Sequence, residues 1–262
     1  MPSRKCDVTL ILPAYNEARN ITTTLTEAVD YFRARSRTYE IIVAADGDDG
    51  TRELAREFAN SNTSVSVIGE PVRRGKGKGI REGVMIATGN IIGFADADNK
   101  VPISEFDKLE VCFREDYDLV IGSRGLATSR IDQQQPWYRR VGSRGFGHFM
   151  HAVVGLPGIR DTQCGFKFFR KAVAKDLFSR QRIDGYMFDV EILALAQRLN
   201  YRMLEVPIIW RDDADSRLQL VSGNVRNAID IFKIRLYCKR HVEAPTAVRT
   251  QAKSASSRVV GR

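Results

Sequence analysis

Two carboxylates separated by one residue follow an apolar segment that ends at position 95. They belong to Asp96 and Asp98, and the segment before them reads Ile-Ile-Gly-Phe-Ala. Because alternate side chains of an extended chain point to the same side, both carboxylates can reach one cation. Hard ions such as Mg²⁺ and Mn²⁺ are held by a few carboxylates together with substrate phosphates. We therefore predict a divalent-metal site at Asp96 and Asp98, with a solvated acidic turn as the alternative.

A second segment combines glycine with positive charge. It reads Arg73-Arg-Gly-Lys-Gly-Lys-Gly79 and leads into a region of helical spacing. Glycine lets the backbone approach a ligand closely, and a helix N-terminus favours anions. The segment matches neither the P-loop nor the dinucleotide-binding fingerprint. It predicts an anion-binding loop of another kind, with a basic surface loop as the alternative.

The first 125 residues alternate between strand-like and helix-like segments, which indicates repeated βαβ units. Such units build a mostly parallel sheet flanked by helices, and ligands bind beyond the carboxyl ends of its strands. Apolar runs such as Val8–Leu12 predict strands that are buried on both faces. The polar segments expected to meet at one edge of the sheet are Tyr15–Glu17, Asp46, Arg73–Gly79 and Asp96–Asp98.

The rest of the chain is less regular, but no linker rich in Gly or Pro interrupts it, so we expect a single α/β domain. Its second half should extend over 126–216, followed by a basic amphipathic helix at 217–240 and a disordered basic tail at 241–262. The elements predicted in the second half are helices at Trp137–Val154 and Phe188–Asn200, and strands at Phe166–Phe169 and Met203–Trp210.

Composition limits the class of protein. The chain has 262 residues, of which 43% are hydrophobic and 28% charged, as expected of a folded domain. No apolar run approaches the roughly 18–20 residues that cross a bilayer, and the N-terminus lacks the features of a signal peptide. We therefore expect a cytoplasmic protein, peripherally associated with a membrane. The four cysteines are widely spaced, which predicts free thiols.

The net charge of +9 is concentrated at the end of the chain, where residues 217–262 hold ten Lys or Arg and two acidic residues. This distribution argues against a surface that coats nucleic acid and favours a basic end that meets an acidic partner. In the predicted helix, Ile229, Phe232 and Leu236 share one side. An anionic membrane surface suits such a helix, and an ordinary solvated helix is the alternative.

Five motifs occur in order along the chain: Pro13-Ala-Tyr-Asn-Glu17, Asp46-Gly, Arg-Gly-Lys in the glycine-rich loop, Phe-Ala-Asp-Ala-Asp98, and Asp161-Thr-Gln-Cys-Gly-Phe-Lys167. Together they resemble the family-2 inverting glycosyltransferases of the GT-A fold. The last motif, with Phe188-Asp-Val-Glu191, is similar to the dolichyl-phosphate β-glucosyltransferase branch, and the mannose synthases are a second match. The resemblance extends over residues 7–217.

This resemblance implies transfer of a hexose, such as glucose from UDP-glucose, to a polyprenyl phosphate such as dolichyl or undecaprenyl phosphate. Residues 1–125 would bind the nucleotide sugar, and 126–216 the acceptor. Asp96 and Asp98 would bind Mg²⁺ or Mn²⁺ and act in catalysis. The other residues implied for binding the donor are Pro13, Tyr15, Glu17, Asp46, Arg73, Lys76 and Arg217, of which Arg217 would lie on a lid over the phosphates. The residues implied for binding the acceptor phosphate are Arg124, Arg139 and Ser143.

Two departures from the family pattern affect these assignments. Ala45 precedes Asp46 where the family often has a second Asp, so the match of Asp46 to a family position is open. Mannose synthases have a Gln two residues beyond the second Asp, where this chain has Lys100. A charged Lys cannot ligate a metal ion, which favours the glucosyltransferase branch over the use of GDP-mannose.

The acceptor decides whether a catalytic base is needed. A phosphate monoester is largely a dianion at pH 7 and can attack without a base, whereas a sugar or small-molecule hydroxyl needs a carboxylate base nearby. Asp161, Asp189 and Glu191 are available as bases, and capping or ion pairing is the alternative for Asp161 and Asp189. A protein that binds nucleotide sugar without turnover, and a nucleic-acid binder using the basic tail, are the alternatives from other classes.

Overall fold

The computed structural model describes residues 6–131, 154–156, 158–211 and 222–241. Nine strands and seven α-helices are defined within these ranges. The strands are β1 Val8–Tyr15, β2 Tyr39–Asp46, β3 Val65–Ile68, β4 Ile91–Ala95, β5 Leu119–Ser123, β6 Arg130–Ile131, β7 Phe166–Arg170, β8 Met203–Pro207 and β9 Ile209–Trp210. The helices are α1 Ile21–Ala34, α2 Thr51–Asn60, α3 Lys76–Ile86, α4 Phe106–Cys112, α5 Lys171–Arg180, α6 Phe188–Arg198 and α7 Ser222–His241.

Seven of the strands form one sheet in the order β3-β2-β1-β4-β7-β5-β8. All neighbours are parallel except β7, which runs antiparallel to both β4 and β5. The predicted single α/β domain with a mostly parallel sheet is therefore confirmed. Because β7 is reversed, its N-terminal end lies at the same edge as the carboxyl ends of the parallel strands. The motif that precedes β7 is thereby brought to the end of β4.

Each face of the sheet packs against helices. One core includes Val84 of α3, Leu177 of α5 and Phe188 of α6. The other includes Leu25 of α1 and residues of α2 and α4. Fully burying one side chain of the size of Phe188 stabilises a fold by about 1.5–3 kcal/mol, so these two cores hold the strand ends in fixed positions.

Local details differ from the sequence-based expectations at two places. The strand expected at Met203–Trp210 is two strands, because the chain leaves the main sheet after Pro207 and pairs Ile209 with Arg130 in a separate two-stranded sheet. The α5 helix was not predicted, and the basic helix expected at Trp137–Val154 lies almost wholly outside the described residues.

Candidate active site

The carboxylate pair stands where β4 ends, as predicted. The backbone N–H of Asp96 donates to Gly165 O at 3.0 Å, which joins the end of β4 to the start of β7. A Cβ atom added to Gly165 would lie 2.1 Å from Asp96 Oδ2. Only glycine therefore leaves room for this carboxylate, and each carboxylate of the pair remains 29% exposed.

Lysines lie beside both carboxylates. Lys76 Nζ lies 2.5 Å from Asp96 Oδ1, and Lys100 Nζ lies 3.9 Å from Asp98 Oδ2. Burial and the Asp96 charge raise the pKa of Asp98 to about 6, although Lys100 opposes the shift. Burial lowers the pKa of Lys76, but the charges of Asp96 and Asp189 outweigh it and raise that pKa above its ordinary value. A cation bound at Asp96 and Asp98 would therefore favour the ionised form of Asp98.

The donor set of the pair fits a hard divalent cation that shares its coordination with substrate. Within the described ranges, no group of three or more His, Cys, Asp or Glu side chains could hold a metal ion. Two carboxylates alone are what Mg²⁺ sites commonly supply when phosphates and water complete the shell. Because Gly165 has no side chain, the carboxylate of Asp96 can occupy this position. Asp96 and Asp98 are therefore the residues that would hold the ion.

The glycine-rich loop reaches the carboxylate pair through Lys76, the first residue of α3. Gly75 before it has φ +113°, and a Cβ atom there would lie 2.3 Å from Asp184 O. The backbone N–H of Lys78 donates to the same oxygen at 3.2 Å. The loop is thus held against the segment before α6, and the positive end of α3 faces the edge where the carboxylates lie.

Asp46, implied as a donor-binding residue, makes hydrogen bonds within the protein in this structure. Its carboxylate accepts from the backbone N–H groups of Arg74 at 2.8 Å and Glu70 at 3.2 Å. The guanidinium of Arg74 adds an ion pair at 3.3 Å and also contacts Glu82. Asp46 therefore connects the end of β2 to the glycine-rich loop. A role of Asp46 in binding the donor stays a prediction.

Tyr15 and Arg73 form the outer part of the predicted donor site. The guanidinium carbon of Arg73 lies 4.4 Å from the Tyr15 ring centroid, and Arg73 also donates to Tyr186 Oη at 3.1 Å. Both tyrosines are about half exposed. Pro13 and Glu17 lie at the same strand end, half-buried. Tyr186 was missed by sequence reasoning, because only the packing of the loop before α6 brings it to this edge.

Asp161 pairs with Arg124 at the end of β5. Arg124 donates through Nε at 2.7 Å, Nη2 at 2.9 Å and its backbone N–H at 3.0 Å. Burial raises the pKa of Asp161, but the charge and hydrogen bonds of Arg124 outweigh it and hold that pKa below its usual value. The guanidinium also lies 4.7 Å from the Trp210 ring centroid. The structure thus places Asp161 in the ion pair that was its alternative role.

Asp189 is likewise engaged. It lies 2.6 Å from Lys167 Nζ, and Lys167 is fully buried and also donates to Cys164 O at 2.6 Å. Burial raises the pKa of Asp189 against the opposing charge of Lys167. Glu191 accepts from the backbone N–H groups of Arg182 and Ile183. All three carboxylates considered as bases therefore hold internal partners.

Three residues implied for the site, Arg139, Ser143 and Arg217, lie outside the described residues, so their roles stay predictions. The four cysteines are free, as expected. In the described part of the chain, no helix has the length and apolar character needed to span a membrane.

Helix α7 is apolar on two opposite faces. Ile231 and Ile234 are buried against the core, whereas Ile229, Phe232 and Leu236 are each at least 50% exposed. At 100° per residue, the exposed three lie opposite the buried face. Lys233 and Arg235, both exposed, lie on the two sides of this stripe. The predicted apolar stripe therefore exists, and it lies on the side of α7 opposite the residues packed into the core.

Comparison with solved structures defines the fold. The fold aligns with glucosyl-3-phosphoglycerate synthase from Mycobacterium tuberculosis, solved with Mn²⁺, uridine-diphosphate and phosphoglyceric acid, at a TM-score of 0.65 and 20% identity over 89% of this chain and 78% of that one. It also aligns with mannosyl-3-phosphoglycerate synthase from Rubrobacter xylanophilus, at a TM-score of 0.63 and 13% identity over 92% and 78%. The chain thus has the glycosyltransferase fold GT-A, as predicted.

Sequence comparison then gives the family. The family described as "Glycosyl transferase family 2" matches residues 9–178, and the chain belongs to this family of glycosyltransferases. A dolichyl-phosphate beta-glucosyltransferase of Trichomonas vaginalis is 34% identical over 240 residues, which cover 87% of this chain and 71% of that protein. The dolichyl-phosphate beta-glucosyltransferase of Homo sapiens is 31% identical over 243 residues, with coverage of 87% and 75%.

Proposed function

We propose that the protein transfers glucose from UDP-glucose to a polyprenyl phosphate, with inversion at the anomeric carbon, at an anionic membrane surface. The observation that carries the proposal is the contact of Lys76 with Asp96. It joins a helix N-terminus suited to phosphate with a carboxylate pair suited to a divalent cation, at the carboxyl ends of parallel strands. The activity named for the relatives supplies the sugar and the class of acceptor.

The donor diphosphate lies, in this proposal, between the N-terminus of α3 and the carboxylate pair. Asp96 and Asp98 would hold Mg²⁺ or Mn²⁺, which when bound neutralises charge on the departing nucleotide. Lys76 and the positive end of α3 bind the phosphate oxygens. Tyr15 presents its exposed ring to the base, and Arg73 stacks on that ring from the loop.

The engagement of the three carboxylates favours a phosphate acceptor over a hydroxyl acceptor. Asp161, Asp189 and Glu191 are buried and engaged by cations or backbone N–H groups, so proton transfer from a hydroxyl would have to compete with these partners. A phosphate dianion needs no such base. Arg124, fixed by Asp161 and 31% exposed, still has N–H donors to orient the acceptor phosphate for attack opposite the leaving nucleotide.

The membrane is the proposed partner because the lipid acceptor resides there. The stripe Ile229, Phe232 and Leu236 points away from the core between two exposed cations. Apolar side chains entering the interface bind a bilayer in proportion to buried area, and each nearby cation adds about 1 kcal/mol at an anionic leaflet. The helix would thus hold the active site beside the acceptor phosphates.

A transfer assay tests the proposal. Radiolabelled UDP-glucose is incubated with vesicles that contain dolichyl or undecaprenyl phosphate, with and without Mn²⁺, and label is counted in the organic phase. We expect organic-soluble product that mild acid hydrolyses, and its loss in Asp98→Asn. Asp116→Asn is the matched control, because Asp116 is exposed and lies at the opposite edge of the sheet. Label that reaches only water-soluble glycosides, or transfer only from GDP-mannose, contradicts the proposal.

A further inference from the structure

The carboxylate pair carries its own counter-charges. Lys76 Nζ lies 2.5 Å from Asp96 Oδ1, and Lys100 Nζ lies 3.9 Å from Asp98 Oδ2. The two lysine side chains are only 17% and 12% exposed, so water screens them weakly. Two carboxylates and two ammonium groups together have no net charge.

These ammonium groups oppose a divalent cation at the same place. A cation bound to Asp96 or Asp98 would lie within a few ångströms of Lys76 or Lys100, and like charges at that separation repel strongly in a half-buried site. In the part of the chain that the structure describes, no third carboxylate, His or Cys joins the pair as a metal ligand. The pair alone is therefore a poor site for a free ion.

A diphosphate changes this balance, because Lys76 is also the first residue of α3. Its ammonium group and the N-terminus of the helix both lie where phosphate oxygens would bind. The phosphate oxygens can replace Asp96 as the partner of the Lys76 ammonium group, whose flexible stem allows the move. Asp96 is then free to bind a cation, and the phosphates contribute further negative charge.

We propose that Lys76 holds Asp96 until a nucleoside diphosphate arrives, so that binding of the divalent cation depends on the nucleotide. The inference rests on the proposed function, since it takes the donor to be a nucleotide sugar. Lys100 acts on Asp98 in the same way, and more weakly, because its ammonium group lies farther from the carboxylate.

The test measures Mn²⁺ binding to the nucleotide-free protein by electron paramagnetic resonance. Replacing Lys76 by Met removes the charge and keeps the length, so Lys76→Met should bind Mn²⁺ about tenfold more tightly than the wild type. Lys76→Arg keeps the charge and should bind as weakly as the wild type. Lys171→Met is the control: it removes the same charge at the opposite edge of the sheet, where Lys171 bonds Thr88 O, and should leave Mn²⁺ affinity unchanged.

The second measurement is UDP binding by calorimetry, with and without Mn²⁺. In the wild type, Mn²⁺ and UDP should strengthen each other's binding by about tenfold or more, and the coupling should shrink in Lys76→Met. Lys100→Met should show the same trend to a smaller extent, and it serves if Lys76→Met does not fold.

Two results overturn the inference and are distinguishable from failure of the proposed function. If the wild type binds Mn²⁺ equally well with and without UDP, or if neither Met variant gains Mn²⁺ affinity, the exchange of partners is refuted while sugar transfer can persist. If the wild type binds no UDP in the presence of Mn²⁺, the inference and the proposed function both fail.

Discussion

Replacing Asp189 by Asn separates a catalytic role of this carboxylate from a role in the core. Asp189 lies 2.6 Å from Lys167 Nζ, and Lys167 is fully buried between β7 and α6. Asn has nearly the same volume but no charge, so the variant leaves the Lys167 ammonium group without a counter-charge. Breaking a buried pair by removing one partner costs about 3–5 kcal/mol. We expect Asp189→Asn to lower the free energy of unfolding by that amount.

The loss should be visible by two methods. Chemical denaturation reports the free energy of unfolding, and for a domain of this size each kcal/mol lowers the melting temperature by about 2–4 °C, so the shift is about 6–20 °C. The double variant Lys167→Met/Asp189→Leu removes both charges and should recover most of the lost free energy of unfolding. An apolar pair of similar volume does not incur the cost of removing two charges from water. Glu27→Gln is the control, because it breaks the exposed pair with Arg211 and should cost less than about 1 kcal/mol.

Activity measured well below the melting temperature completes the comparison. An ion-pair role predicts that the folded Asp189→Asn protein keeps transferase activity within about tenfold, because the substituted group accepts no proton in the reaction. A variant that is as stable as the wild type but has lost transfer by more than about a thousandfold would refute this reasoning and restore the catalytic-base assignment.

Three further predictions follow from the same structure. Gly165→Ala places a methyl group against Asp96 and should lower the rate of sugar transfer by about 100-fold. Circular dichroism should show that the variant stays folded, and an unchanged rate of transfer would contradict the placement of this carboxylate. Phe232→Asp should weaken binding to anionic vesicles by about tenfold or more in a cosedimentation assay. Val111 on α4 is equally exposed, and Val111→Asp should leave this binding unchanged. Equal effects of the two substitutions would argue against the stripe as the membrane contact. Because the pKa of Asp161 is lower in the folded than in the unfolded state, its stabilisation is complete above its ordinary value of about 3.8 and is lost as the pH falls through the folded value. Asp161→Asn should therefore flatten the decline in unfolding free energy below about pH 4, and an unaltered acid limb would contradict the ion pair.

The parts of the site that depend on strand ends could be predicted from the sequence. Apolar runs fix where β1 and β4 lie, and the carboxyl ends of parallel strands meet at one edge whatever their order. That is why Tyr15, Asp46 and Asp96 were expected together before their contacts were known. A helix was also expected from the spacing beyond the glycine-rich loop, but it begins earlier, at Lys76 inside that loop.

The pairings across the site could not be predicted, because they depend on packing between distant segments. A short apolar strand such as β7 carries no signal of its direction, yet its reversal is what brings Gly165 against Asp96. The ion pairs of Asp161 and Asp189 also join residues far apart in the chain or on different elements. Helix α7 shows a related limit: two apolar faces are visible in its sequence, and only packing decides that Ile231 faces the core.

The carboxyl end of β4 is the proposed donor site, and crystals grown with UDP-glucose and Mn²⁺ test this placement most directly. We expect an anomalous manganese peak within coordination distance of Asp98 and the diphosphate, with Lys76 bound to a phosphate oxygen. An ordered nucleotide elsewhere on the protein, or manganese absent from Asp96 and Asp98 while the nucleotide is bound, would contradict it.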